Sequence, residues 1–174
     1  MKKTEIRNIL IEANLNSFVI ALFDEVEDLR NYNFYDCFRP ANFITERFNE
    51  EDKQKYNLDR YVFLFETMDD NLEFLVYDRE LKGYIRYHID EARPFSNYEV
   101  LTWDGTFVQQ FVTWYEDDHT DDEILKICDL FGLKYGREML ESIKENLGTS
   151  YTMEQTNHWI NDTIEKINGR LKNK

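Results

Sequence analysis

The feature that most constrains the fold is a run of five consecutive apolar residues, Tyr61-Val62-Phe63-Leu64-Phe65. Aromatic and β-branched residues in such a run predict a β-strand, and because both alternating sets are apolar, both faces of the strand are expected to be covered. Residues 68–71 then predict a turn, residues 72–77 a return strand and residues 84–89 a third strand, with residues 98–103 as a candidate fourth. The sequence therefore predicts an antiparallel meander of three or four strands.

Helical periodicity dominates residues 1–58, before this meander. Apolar residues spaced three or four apart predict one helix from Leu15 to Leu29, and a shorter helix is expected around residues 6–11. Pro40 suits the first turn of a further short helix, because proline lacks the N–H that a first turn leaves unbonded. That helix would carry Phe43, Ile44 and Phe48.

The segment after the meander, residues 104–174, is predicted to be mainly helical. The spacing of apolar residues over 107–115 favours a helix, although its valine and phenylalanine content also permits a strand. Thr120 and Glu123 fit a capping box, in which each side chain accepts a hydrogen bond from the other residue's backbone. The helix that they open is expected to end at Gly132.

Two more helices are expected towards the end of the chain. The first covers residues 135–147 and is stopped by Gly148. The second opens with another capping box, formed by Thr152 and Gln155. Its apolar stripe is predicted to consist of Ile160, Ile164, Ile167 and Leu171.

These elements predict a single α+β domain over residues 1–174, helical over 1–58, a small sheet over 59–103 and mainly helical over 104–174. Cys37 and Cys128 are too few and too far apart for a disulfide framework, so both are expected to be reduced and mostly buried. The start of the chain lacks the apolar core of a signal peptide, and no apolar run is long enough to span a bilayer. A cytoplasmic protein is therefore expected.

The charge of the chain is strongly acidic and unevenly distributed. The 174 residues carry 21 Lys and Arg against 35 Asp and Glu, a formal net charge of −14. Such a chain is expected to repel nucleic acid and anionic lipid, so direct binding to either is not predicted. Residues 94–125 contain no Lys or Arg but eight carboxylates, which are Glu99, Asp104, Glu116, Asp117, Asp118, Asp121, Asp122 and Glu123.

Six of these eight carboxylates fall within residues 116–123, called the acidic segment below: Glu116, Asp117, Asp118, Asp121, Asp122 and Glu123. One interpretation is a solvated loop whose last acids favour the positive end of the following helix. A second is an exposed patch that faces a basic protein partner, which would relieve the repulsion among like charges. A third is a Ca²⁺ or Mg²⁺ site, although the segment lacks the spacing and the glycine of an EF-hand loop.

Motifs for catalysis are few. The chain contains no P-loop, no G-x-G-x-x-G and no G-x-S-x-G motif. His88 and Asp90 are expected on one face of the third strand, where such a pair could serve acid–base chemistry or half of a metal site. A small metal-dependent enzyme that uses His88 and Asp90 is therefore one alternative. The main expectation is a non-catalytic protein without a cofactor.

The function that the acidic segment favours is inhibition of a basic protein. Small acidic nuclease inhibitors, bacterial immunity proteins and nucleic-acid mimics use this physical principle, because carboxylates replace phosphates at a basic groove. The partner would be a toxin, a nuclease or a nucleic-acid-binding enzyme. An alternative with the same surface is a phage or mobile-element inhibitor of a CRISPR or restriction enzyme.

Overall fold

The computed structural model describes residues 2–34, 38–41, 46–67, 73–88, 95–117, 119–148 and 150–169. The described elements confirm the α+β prediction: along the chain, helices precede and follow a small antiparallel sheet. The chain divides into two compact units, residues 1–100 and 101–174. The single domain over residues 1–174 stays a prediction.

The N-terminal unit begins with helix α1, Lys3–Glu12, and helix α2, Ser17–Phe23, followed by a 3₁₀ turn at Leu29–Tyr32. The prediction of one helix from Leu15 to Leu29 is wrong, because α2 ends at Phe23. Glu25 adopts a left-handed conformation with φ 60°, and the N–H of Val26 bonds back to the carbonyl of Ala21, which closes the helix. Val26 is consequently 77% exposed instead of buried.

Pro40 lies in strand β1, Phe38–Pro40, and not in a helix as predicted. The N–H of Ala41 bonds to the carbonyl of Leu64, so in the antiparallel register the nitrogen of Pro40 points away from the neighbouring strand. An edge strand tolerates proline in that position because no ladder hydrogen bond is lost. Phe43 and Ile44 lie outside the described residues.

The sheet confirms the predicted meander. Strands β2 (Tyr61–Thr67), β3 (Glu73–Asp78) and β4 (Gly83–His88) pair in order, and β1 pairs antiparallel with β2 to give the order β1-β2-β3-β4. The fourth strand is thus β1 rather than residues 98–103, within which Leu101 makes only an isolated bridge. The turn predicted at residues 68–71 lies outside the described residues.

Both faces of β2 are covered, as its continuous apolar sequence predicts: residues 61–65 are all buried. On one face, the ring of Phe65 packs against that of Phe23 in α2, with 5.9 Å between the ring centroids. The other face carries an aromatic cluster, which we define as Ala41, Leu58, Tyr61, Phe63, Phe74, Val76, Ile85, Tyr87 and Phe95.

Helix α3, Glu50–Lys55, follows Asn49, whose side chain caps it.

A buried carboxylate fixes the turn between β3 and β4. Asp78 is 1% exposed and accepts hydrogen bonds from Nε and Nη2 of Arg60, at 3.1 and 2.7 Å. It also accepts the backbone N–H groups of Glu80 and Leu81, at 2.9 and 3.1 Å. Burial raises the pKa of Asp78, but these hydrogen bonds outweigh burial and hold the pKa below its ordinary value.

The C-terminal unit consists of a 3₁₀ turn, Asp104–Phe107, and four helices. These are α4 (Val108–Glu116), α5 (Asp121–Phe131), α6 (Gly136–Leu147) and α7 (Met153–Gly169). The predicted boundaries of α5 and α6 are confirmed, since Gly132 adopts φ 68° after α5 and Gly148 adopts φ 59° after α6. Among the described residues, none of the helices combines the length and the apolar character that crossing a membrane requires.

The buried stripe of α7 differs from the predicted one. Its buried residues are Trp159, Thr163 and Ile167, whereas Ile160 and Ile164 are only half-buried. Trp159 is 4% exposed, and its indole N–H donates to Oγ of Ser142 in α6 at 3.1 Å, so the side of α7 that carries Trp159 packs against α6. Leu171 lies outside the described residues.

Cys128 is a free, buried thiol, as predicted, and burial raises its pKa to about 12. Cys37 lies outside the described residues. A Cβ added at Gly136 would lie 2.6 Å from both Cβ and Sγ of Cys128. Glycine is therefore required where α6 begins beside α5.

Replacing Gly136 by alanine is expected to destabilise the fold by about 1–2 kcal/mol. Overpacking a tight contact costs about 1–3 kcal/mol, which outweighs the gain of up to about 1 kcal/mol in helix propensity. The change in the free energy of unfolding is measured by urea denaturation, with circular dichroism as the signal. Gly169→Ala is the control, because no atom of the described residues lies within 4 Å of its added Cβ. Equal stability of the two variants would contradict the close contact.

Removing the cap of α7 is expected to cost about 0.5–2 kcal/mol in Thr152→Ala. The predicted capping box is confirmed: the N–H of Gln155 donates to Oγ1 of Thr152 at 3.2 Å, and the N–H of Thr152 donates to Oε1 of Gln155 at 2.8 Å. Thr152→Ser keeps the accepting hydroxyl and should retain most of the stability. The same loss in both variants, measured by thermal denaturation, would show that the hydroxyl does not act as the cap.

Candidate partner-binding surface

The acidic segment spans the connection between α4 and α5. Glu116 is the last residue of α4, and the N–H of Asp117 makes the last helical hydrogen bond, to the carbonyl of Thr113 at 2.9 Å. Thr120 then caps α5, so Asp121, Asp122 and Glu123 form its first turn. Asp118 lies outside the described residues. The segment is therefore the meeting point of two helix ends and is held in place by both.

The described carboxylates of the acidic segment are open to solvent. Glu116, Asp117, Asp121 and Asp122 are exposed, and Glu123 is half-buried. This exposure was expected, because burying several carboxylates without local basic residues would cost too much free energy. That they face a partner stays a prediction.

Glu123 has a structural role in the capping box. Its Oε2 accepts the backbone N–H of Thr120 at 2.9 Å and the Thr120 hydroxyl at 2.7 Å, while its own N–H donates to Thr120 Oγ1 at 3.4 Å. These hydrogen bonds, that from the backbone of Thr120 first, lower the pKa of Glu123. The carboxylate therefore stays ionised at neutral pH and satisfies the start of α5.

Asp121 is paired with a lysine that the sequence window does not contain. Nζ of Lys144, in α6, forms an ion pair with the Asp121 carboxylate. The lysine side chain is 41% exposed and the aspartate side chain 56% exposed, so the pair is a surface contact that solvent screens. Tertiary structure thus partly neutralises a segment that looks free of basic groups in the sequence.

Glu116 contacts a tyrosine from the α6–α7 connection. The hydroxyl of Tyr151 donates to Oε1 of Glu116 at 3.1 Å, and the Tyr151 ring lies 6.5 Å from the ring of Tyr115. Burial, together with this hydrogen bond and the charge of Glu116, raises the pKa of Tyr151. Two half-buried tyrosines therefore border the acidic segment. Sequence reasoning missed Tyr151, because it lies 35 residues away from Glu116 along the chain.

Asp117 and Asp122 differ from the other described carboxylates of the segment. Both are exposed, and within the described part of the chain neither forms an ion pair or a side-chain hydrogen bond. Among the described residues, Asp121 pairs with Lys144 and Glu116 with Tyr151, whereas the carboxylates of Asp117 and Asp122 have no such partner. A basic partner would find these two carboxylates available.

His88 is placed beside a glutamate that the sequence analysis did not select. Its Nε2 lies 3.5 Å from Oε1 of Glu73, the residue opposite His88 in the β3–β4 register, and Nε of Arg86 donates to the same oxygen at 2.7 Å. Glu73 is 5% exposed, so the arginine balances a buried charge. Asp90 lies outside the described residues, and the enzyme that would use His88 and Asp90 stays an untested alternative.

Among the residues that the structure describes, no group of three or more His, Cys, Asp and Glu side chains is arranged to hold a metal ion. The interpretation of the acidic segment as a cation site therefore gains no support from the described side chains.

Comparison of the chain with protein-family models, with curated proteins and with solved structures gives no match.

Proposed function

We propose that this chain is an acidic, non-catalytic binding protein of the cytoplasm that neutralises a basic protein partner. The partner would be a toxin, a nuclease or a nucleic-acid-binding enzyme, and the acidic segment would form the contact. The exposure of Glu116, Asp117, Asp121 and Asp122 at the junction of two helices is the observation that supports this proposal. Carboxylates on a rigid support can attract basic side chains without a change of fold.

The contributions of the carboxylates are expected to differ. Asp117 and Asp122 would meet a partner's lysine or arginine directly. At Asp121 the partner would have to compete with Lys144, and at Glu116 with the hydroxyl of Tyr151. We therefore expect Asp117 and Asp122 to account for most of the electrostatic attraction.

The identity of the partner tests the proposal first. The tagged chain is incubated with an extract of its native host at low and at high salt, and the proteins retained only at low salt are identified. A basic toxin or nuclease would favour an immunity protein, whereas a CRISPR or restriction enzyme would favour the anti-defence alternative. An acidic or salt-independent partner would contradict the proposal.

Substituting both Asp117→Asn and Asp122→Asn is expected to slow association with the purified partner about tenfold at low salt, the lower end of electrostatic steering. The salt dependence of the association rate should weaken as well, because fewer charges attract the partner. Stopped-flow or surface-binding kinetics at two ionic strengths measure both effects.

The matched control is Glu141→Gln with Glu165→Gln, which removes the same number of exposed charges from α6 and α7. Urea denaturation of both double variants checks that the fold is unchanged. If the association rate falls by the same factor in both double variants, only net charge matters and the acidic segment is not the contact. An unchanged rate in the Asp117 and Asp122 variant would leave the segment as a solubilising surface.

A further inference from the structure

We draw no further inference here: the strongest candidate, the groove of about 350 Å³ between the end of α2 and strand β1, has rim carboxylates that already contact Lys3, Tyr32 and Arg30, and nothing in the structure shows what covers its apolar lining.

Discussion

Asp78→Ala is expected to lower the free energy of unfolding by about 3 kcal/mol, the lower end of the range for removing one partner of a buried ion pair. The substitution leaves the guanidinium of Arg60 without its buried acceptor and leaves two turn N–H groups, those of Glu80 and Leu81, without theirs. The lower end is expected because the side chain of Arg60 is 26% exposed, so water can solvate part of the guanidinium charge that the substitution leaves unpaired. Urea denaturation measures the loss.

Glu80→Ala is the matched control for this prediction. Glu80 also contacts Arg60, but its side chain is 65% exposed, so the control should change stability by less than about 1 kcal/mol. Equal losses in the two variants would mean that burial of Asp78 contributes nothing.

The same carboxylate is expected to make stability depend on pH. Because the folded protein holds the pKa of Asp78 below its ordinary value, the folded state binds the proton less readily than the unfolded state. Its contribution is therefore complete above the ordinary aspartate pKa of about 4 and is lost as the pH falls through the lower folded value. Asp78→Asn should show a shallower loss of stability than the wild type between neutral and acid pH. Parallel curves for the two proteins would contradict this assignment.

Phe63→Ala is expected to have the largest effect, a loss of about 3–5 kcal/mol. Phe63 is 2% exposed in the aromatic cluster, and its ring lies between 5.4 and 5.8 Å from those of Phe48, Tyr56, Phe74 and Phe95. Truncation would remove these contacts and leave a cavity in the middle of the cluster. Thermal and urea denaturation measure the change.

Val26→Ala serves as the control for this core substitution. It removes an apolar side chain from the same unit, but Val26 is 77% exposed, so the expected change is within about 0.5 kcal/mol. A loss below about 1 kcal/mol in Phe63→Ala would show that the cluster refills the space.

Local signals in the sequence sufficed for much of the fold. Helix ends depend on residues that are only a few positions apart in the sequence. Capping boxes at Thr120 and Thr152 begin two helices, and glycines at 132 and 148 end two. The apolar run of β2 predicted its strand for the same reason. Elements that depend on distant partners were missed, such as β1, which forms because residues 38–40 pair with β2.

The end of α2 could not be predicted from apolar spacing, because Val26 and Leu29 continue the pattern after the helix has stopped. The left-handed conformation of Glu25 is disfavoured for a residue with a Cβ, and no glycine marks the position. The stripe of α7 was misplaced for a related reason, since a tryptophan and a threonine occupy inward positions that isoleucines were expected to fill.

At the candidate site, the sequence predicted where the carboxylates lie but not what surrounds them. The distribution of basic residues along the chain suggested a segment without neutralising partners, whereas Lys144 reaches Asp121 from 23 residues away. The helical spacing of α6 carried no signal for that contact, because the packing of α6 beside α5 is a tertiary property. Glu73, opposite His88, could have been found by pairing the predicted strands 72–77 and 84–89 as antiparallel neighbours.

All three tryptophans, Trp103, Trp114 and Trp159, belong to the C-terminal unit, whereas the aromatic cluster of the N-terminal unit contains only phenylalanine and tyrosine rings. Intrinsic tryptophan fluorescence therefore reports on residues 101–174 alone. Amide signals from the sheet report on residues 1–100. If both follow the same denaturation curve, the two units unfold as one cooperative body; if the curves separate, each unit has a stability of its own.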